Sequence, residues 1–329
     1  MNTQKTVLVT GAAGFIGSHL TEYLVQQGFT VRAMVRYSSR PQLGNLEFLP
    51  KNILSEVEIV KGDLKDPDFC YHAVRGCQYV FHLGALIAIP YSYVNPTDFV
   101  QTNINGTTNL LNAARKTDSI ERFIHTSTSE VYGTALYTPI NEQHPLQPQS
   151  PYSASKMSAD HLALSYFNAF NLPITVVRPF NTYGPRQSAR AVIPTIISQL
   201  LTLPAVTLGN LSPVRDFLYV KDTAAGFLQV GAHPATVGKT VNLGTGKAVS
   251  IAQTYALICQ IMGKQPVLLS DAARLRPNKS EVFTLVCNPA LAQNLCNWHA
   301  NYTLEQGLQE TIDWISNNLE LFKPQDYQV

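Results

Sequence analysis

Residues 6–25 narrow the choice of fold more than any other stretch. Thr6-Val7-Leu8-Val9 is an apolar run of the length expected for a buried parallel strand. Thr10-Gly11-Ala12-Ala13-Gly14-Phe15-Ile16-Gly17 follows, and Leu20, Leu24 and Val25 then recur at helical spacing. A strand, a glycine turn and a helix N-terminus make an anion site. Glycines let the main chain approach a pyrophosphate, and the helix dipole and free N–H groups favour its charge. The spacing is G-x-x-G-x-x-G, and its place between strand and helix points to a dinucleotide cofactor. Gly11, Ala13, Gly14, Phe15, Ile16 and Gly17 are its expected cradle.

Alternation of strands and helices continues to about residue 180. Strands are expected near 30–35, 57–60, 79–85, 122–126 and 174–177, with helices over 98–115 and 152–170. This pattern predicts a Rossmann-type, doubly wound parallel α/β sheet. Ligands of such sheets sit beyond the carboxyl ends of the strands. Gly11, Asp63, Leu64, Leu83, Ala85, Thr128 and Phe180 fall there. Asp63 is placed either to bond an adenine or to cap the next helix. His82 reads as a packed strand-end histidine. After the second strand an NAD site usually has a carboxylate for the ribose 2′-hydroxyl. Here Val35-Arg36-Tyr37-Ser38-Ser39-Arg40 offers two arginines and no carboxylate. Arg36 and Arg40 suit a 2′-phosphate, so NADP is the expected cofactor, with NAD the alternative.

The chemistry is expected from residues 126–156. Tyr152 and Lys156 are four apart and share a helix face. Tyrosine ionises near pH ~10, and an ammonium one turn away favours the phenolate. Ser127, Thr128 and Ser129 each offer a hydroxyl at the end of the strand that holds Phe123-Ile124. Such a set takes the proton from a substrate alcohol while the same carbon is oxidised.

Beyond Asn181 the rhythm breaks. Val192-Ile193-Pro194 opens a helix, residues 214–220 and 240–244 read as strands returning to the main sheet, and helices are expected near 250–262 and 304–318. The expected division is a dinucleotide-binding domain of residues 1–180 and 216–250, with a discontinuous substrate domain of 181–215 and 251–329. Arg186, Arg190, Arg215, Arg274 and Arg276 come from this part, and arginines beside a cleft suit a diphosphate.

With 24 basic and 22 acidic residues the net charge is +2, which gives no push toward nucleic acid or membrane. No run of about 18 apolar residues is present. The start of the sequence reads as a strand, not a signal peptide, and the odd count of 5 cysteines fits reduced thiols, so a cytoplasmic setting is expected. Neither cysteines nor histidines show metal-site spacing, and no metal is expected.

Together these motifs resemble the extended short-chain dehydrogenase/reductase family of nucleotide-sugar epimerases and dehydratases. The resemblance rests on residues 10–17, Gly62-Asp63-Leu64, Tyr152 to Lys156, Arg178-Pro179-Phe180-Asn181 and Arg215-Asp216-Phe217. It implies tightly held NAD(P), Tyr152 as base with Lys156 in support, and a Thr128 contact to the sugar 4-hydroxyl. It further implies substrate contacts from Asn181, Arg190, Val192, Arg215 and Arg276, and a homodimer through a four-helix bundle. Thr128-Ser129-Glu130 resembles the triplet of sugar-nucleotide 4,6-dehydratases of the GDP-mannose type. The wider stretch is similar to dehydratases of the legionaminic acid pathway, which act on nucleotide-linked N-acetylglucosamine. That likeness implies Glu130 as the base at C5. A 4-epimerase and a UDP-glucuronate decarboxylase are the alternatives.

Overall fold

The computed structural model describes residues 5–39, 42–277 and 279–324, so Arg40 lies outside the described residues. Six strands come first: β1 (Thr6–Thr10), β2 (Thr30–Arg36), β3 (Val57–Gly62), β4 (Tyr79–His82), β5 (Arg122–Thr126) and β6 (Ile174–Pro179). A seventh, Thr240–Leu243, pairs with β6, and the spatial order runs from it through β6, β5, β4, β1 and β2 to β3. Every pairing is parallel. This is the expected Rossmann-type sheet, and its order reverses between β1 and β4, where a crevice opens above the strand ends.

The strands are apolar because both faces are covered. Val7 and Val9 pack with Leu20, Leu24, Phe227 and Val230 on one face, and Leu8 packs with Val80, Leu110, Leu111 and Phe123 on the other. Successive side chains point to opposite faces, so both sets must be hydrophobic. Each such buried side chain contributes about 1.5–3 kcal/mol.

The structure corrects three expectations. β4 stops at His82, because the Thr10 hydroxyl accepts the amide of Gly84 at 3.0 Å and turns the chain, leaving Leu83 and Ala85 in a loop. His82 is buried between the hydroxyls of Thr10 and Thr107, at 2.8 and 2.9 Å. Of residues 214–220 none joins the main sheet. Val214–Arg215 pairs with Val249–Ser250 and Thr284–Leu285, while Phe217–Tyr219 pairs with Asn181–Tyr183. Asp216 causes the split. Its buried carboxylate accepts from the amides of Thr245, Gly246 and Cys287 and from the Thr245 hydroxyl, which bends the chain between two small sheets. The helix read over 98–115 is interrupted: a π-helical turn, Val100–Asn105, lies between Pro96–Phe99 and Gly106–Arg115. Two helices also form that periodicity did not disclose, Val220–Gly231 and Ala290–Cys296.

Helices Val192–Thr202, Ile251–Met262 and Leu304–Asn317 build a separate core around Ile196, Ile197, Ile258, Leu308 and Ile315. Between this lobe and the strand ends lies the main cleft. No helix among the described residues is long and apolar enough to cross a membrane. No group of three or more His, Cys, Asp or Glu among them could hold a metal.

Candidate active site

The cleft has a volume of about 800 Å³ and runs from the glycine turn after β1 to the arginines of the second lobe. Apart from Arg186, and from Arg40, which lies outside the described residues, the residues expected to hold cofactor or substrate line it, as do Thr128, Ser129 and Glu130.

Helix Phe15–Gln26 points its N-terminus into this cleft, and its N-cap, Gly14, supplies no side-chain cap. Main-chain N–H groups of the first turn are thus left for an anion. Gly11 has φ +69°, and a Cβ on it would lie 2.9 Å from the backbone of Gly84. A Cβ on Gly17 would sit 2.2 Å from the Gly11 carbonyl. The turn therefore fits only glycines, and it forms a cradle open to a pyrophosphate. Thr126 Oγ1, buried with no hydrogen-bond partner among the described residues, adds a polar point deeper in the cleft. These features fit a dinucleotide. Asp63 does not cap the next helix. Its carboxylate accepts the Lys65 amide, while Asp66 caps Pro67–Val74. Arg36 ends β2, exposed, at the rim.

Helix Pro151–Phe170 is started by a capping box between Ser150 and Ser153 and carries Tyr152 and Lys156, both buried. The Tyr152 hydroxyl shares a hydrogen bond with Thr128. Burial pushes the Tyr152 hydroxyl above its ordinary range, the Thr128 bond pulls it down, and the charge of Glu130 pushes it up again. The downward pull expected from Lys156 is thus supplied by Thr128. Burial lowers Lys156 to about 8, against the upward pull of Asp160. Of the three strand-end hydroxyls, that of Ser127 is engaged elsewhere, donating to Asp160 at 2.5 Å. Ser129 is buried at the cleft wall.

Glu130 sits in the 3-10 turn Ser129–Tyr132, whose N-cap, Thr128, accepts the Glu130 amide at 3.2 Å. Its carboxylate lies 3.7 Å from Arg276 Nη1. Arg215 is buried nearby, 3.8 Å from Glu281. Arg190 and Arg274 also line the cleft, Arg274 paired with Asp271 at 3.2 Å. Arg186 does not take part. Its Nη2 bonds Glu22 at 2.7 Å and the Phe48 carbonyl at 3.3 Å, on the far side of the glycine turn. Sequence reasoning missed Glu281 and the apolar wall of Leu86, Ile87, Ile89 and Pro90. Their only sequence signal was nearness to Arg276 and to Ala85.

Comparison with known proteins agrees with this geometry. The family model described as GDP-mannose 4,6 dehydratase matches residues 8–311. The chain is 33% identical over 328 residues to an Arabidopsis thaliana trifunctional UDP-glucose 4,6-dehydratase/3,5-epimerase/reductase, with 97% of this chain and 48% of that one covered. It therefore spans about half the length of that relative. It is 30% identical to the dTDP-glucose 4,6-dehydratase of Bacillus anthracis, solved in complex with NAD, with a TM-score of 0.84 and 98% and 100% of the two chains covered. UDP-glucuronic acid 4-epimerase from Bacillus cereus, solved with UDP-glucuronic acid and NAD, is 28% identical with a TM-score of 0.86, covering 95% and 99%. With its parallel sheet, its glycine turn and its Thr128–Tyr152 pair beside Glu130, the chain belongs to the GDP-mannose 4,6-dehydratase family of nucleotide-sugar short-chain dehydrogenases/reductases.

Proposed function

We propose that this protein is a nucleotide-sugar 4,6-dehydratase that converts a nucleotide-linked N-acetylglucosamine, carried on UDP or GDP, to its 4-keto-6-deoxy product. The observation that carries this reading is the Glu130 carboxylate, close enough to the hydrogen-bonded Thr128 and Tyr152 for its charge to act on the tyrosine. An epimerase has no need of a carboxylate there. The apolar wall of Leu86, Ile87, Ile89 and Pro90 suits the methyl of an N-acetyl group.

The glycine turn and the first turn of helix Phe15–Gln26 would hold the pyrophosphate of a nicotinamide dinucleotide, with Asp63 toward the adenosine end. When bound, the nicotinamide accepts the electrons of C4 and returns them at C6, so it is unchanged over a turnover. Thr128 and Tyr152 hold the 4-hydroxyl, and Tyr152 takes its proton with Lys156 behind it. The resulting ketone acidifies the C5 proton. Glu130 removes that proton, and the C6 hydroxyl leaves as water with a proton from Glu130. Arg215 and Arg276 would hold the diphosphate, with Arg190, Asn181 and Val192 along the nucleotide. Arg36 and the missing carboxylate after β2 support NADP as the dinucleotide.

The two-part division supports cofactor on residues 1–180 and 216–250 and sugar nucleotide on 181–215 and 251–329. A homodimer would pair the helices over residues 96–115 and 151–170 into a four-helix bundle. Exposed Val100 and Phe170, each at 45%, support that assembly.

Isotope tracing tests the reaction. The enzyme should carry a C4 deuterium to C6 of the same sugar and take up solvent deuterium at C5. Glu130→Gln should still oxidise C4, so that reduced nicotinamide builds up in absorbance while little product is released. Deuterium returned to C4 with Glu130→Gln fully active rejects the dehydratase reading in favour of a 4-epimerase, and loss of carbon dioxide would indicate a decarboxylase.

A further inference from the structure

Both ends of the hexapeptide 127–132, which carries Thr128, Ser129 and Glu130, are tied to one buried carboxylate. Asp160 lies on helix Pro151–Phe170 one turn beyond Lys156, with no solvent exposure. Its Oδ2 accepts from Ser127 Oγ at 2.5 Å and from Arg178 Nε and Nη2 at 3.2 and 2.9 Å. Its Oδ1 accepts from His125 Nε2 at 3.2 Å. Arg178, on β6, extends the tie. Its Nη1 donates to the Tyr132 hydroxyl at 3.0 Å, and its guanidinium lies 5.0 Å from the centre of that ring. The Tyr132 hydroxyl donates in turn to Asn242 Oδ1, at 2.8 Å, on strand Thr240–Leu243. Ser127 is the first residue of the hexapeptide and Tyr132 the last.

Stability alone is a poor reason for such a cluster. An apolar set of the same volume is often as stable as a buried ion pair, because desolvation offsets the attraction. What the cluster adds is direction: six hydrogen bonds in fixed geometry join helix, three adjacent strands and the catalytic turn. Asp160, Arg178 and Tyr132 do not line the cleft, whereas Ser127 does.

We propose that Asp160 and Arg178 are positioning residues that set the spacing between Tyr152 and Lys156 on the helix and Thr128 and Glu130 on the turn. The inference rests on the dehydratase reading above, in which one proton leaves the C4 hydroxyl and another leaves the adjacent C5, and the two sets must be held to within about 0.5 Å. Ser127 pins the end beside Thr128, which serves C4. Tyr132 pins the end nearer Glu130, which serves C5.

The test uses two mild variants that leave the Asp160–Arg178 pair in place, Ser127→Ala and Tyr132→Phe. Thr175→Val is the control. It removes a buried hydroxyl contact to Thr236, at 3.1 Å, away from the cleft. Both clamp variants should lower kcat on the order of 10- to 100-fold, the scale of an ångström-sized misplacement, with KM and nucleoside diphosphate binding unchanged. Ser127→Ala should slow C4 oxidation. Tyr132→Phe should instead slow solvent deuterium uptake at C5 and let reduced nicotinamide accumulate. Thr175→Val should lower Tm and leave kcat alone. Wild-type kcat in both clamp variants, a loss confined to KM, or an equal kcat loss in the control would overturn the proposal. Wild-type isotope tracing judges the dehydratase reading separately. If that reading fails, slowed C4 oxidation in Ser127→Ala still decides whether the clamp exists.

Discussion

Arg276 Nη1 lies 3.7 Å from the Glu130 carboxylate, is buried, and has no hydrogen-bond partner among the described residues. A guanidinium placed near a carboxylate but not bonded to it keeps its donors for another anion. Replacing it with Ala should raise KM for the nucleotide sugar and weaken binding of the free nucleoside diphosphate by a similar factor. The scale is about 10- to 100-fold, that of a charge-assisted hydrogen bond. Titration calorimetry with the nucleoside diphosphate checks it, and unchanged affinity would place the diphosphate elsewhere.

Tyr152→Phe keeps the ring, which packs edge-on against Phe99 at 6.3 Å between centroids, and removes only the hydroxyl that meets Thr128. Turnover should fall about 10²- to 10⁴-fold, the range for one general base. Tm and dinucleotide binding should hold. Near-normal turnover would show that another group takes the C4 proton.

Lys156, which supports Tyr152 in the proposed reaction, is buried at a cost to its charge. Its ammonium titrates near 8 when folded, against 10.5 ordinarily, chiefly because burial disfavours the charge. The unfolded chain therefore holds more protons between those two values, and stability rises with pH across that window. Below pH ~8 the full cost is present, of the order of 3 kcal/mol at one pKa unit per 1.36 kcal/mol. Lys156→Met should abolish turnover yet raise Tm at pH 7, a trade of activity against stability. Denaturant melts at pH 7 and near pH 10.5 check the sign, since the gain must shrink at the higher pH.

Arg36, the last residue of β2, lines the cleft. Arg36→Ala should weaken NADP more than NAD, because only the former presents a 2′-phosphate. Dissociation constants for both dinucleotides in wild type and variant decide it. An equal loss for both, or a wild-type preference for NAD, rejects the NADP assignment.

The parts of this site that were legible from sequence are the local ones. Tyr152 and Lys156 share a face because a helix repeats every 3.6 residues, and the glycine turn announces itself within eight positions, 10–17. Spacing alone left open which of Ser127, Thr128 and Ser129 faces Tyr152, because a strand end alternates sides and a one-residue change of register exchanges them; the family resemblance singled out Thr128. Asp160 went unnoticed because its partners Ser127 and Arg178 stand 33 and 18 positions away. Residues 214–220 looked like one strand from their aromatic and β-branched content. The carboxylate of Asp216 breaks that run by gathering amides from residues 245, 246 and 287, and such long-range satisfaction leaves no periodic trace.

The position of strand Thr240–Leu243 matters during synthesis on the ribosome. It lies against the outer edge of β6, so 60 positions separate the end of β6 at Pro179 from the residue that begins to cover it, Thr240. A chain emerging from its N-terminus can assemble β1 to β6 in order, yet it presents a bare, apolar strand edge until those residues arrive. At about 5–20 residues per second that delay lasts several seconds. Nascent chains stalled between residues 180 and 240 should thus be the ones most prone to pair with one another and the ones most in need of chaperones.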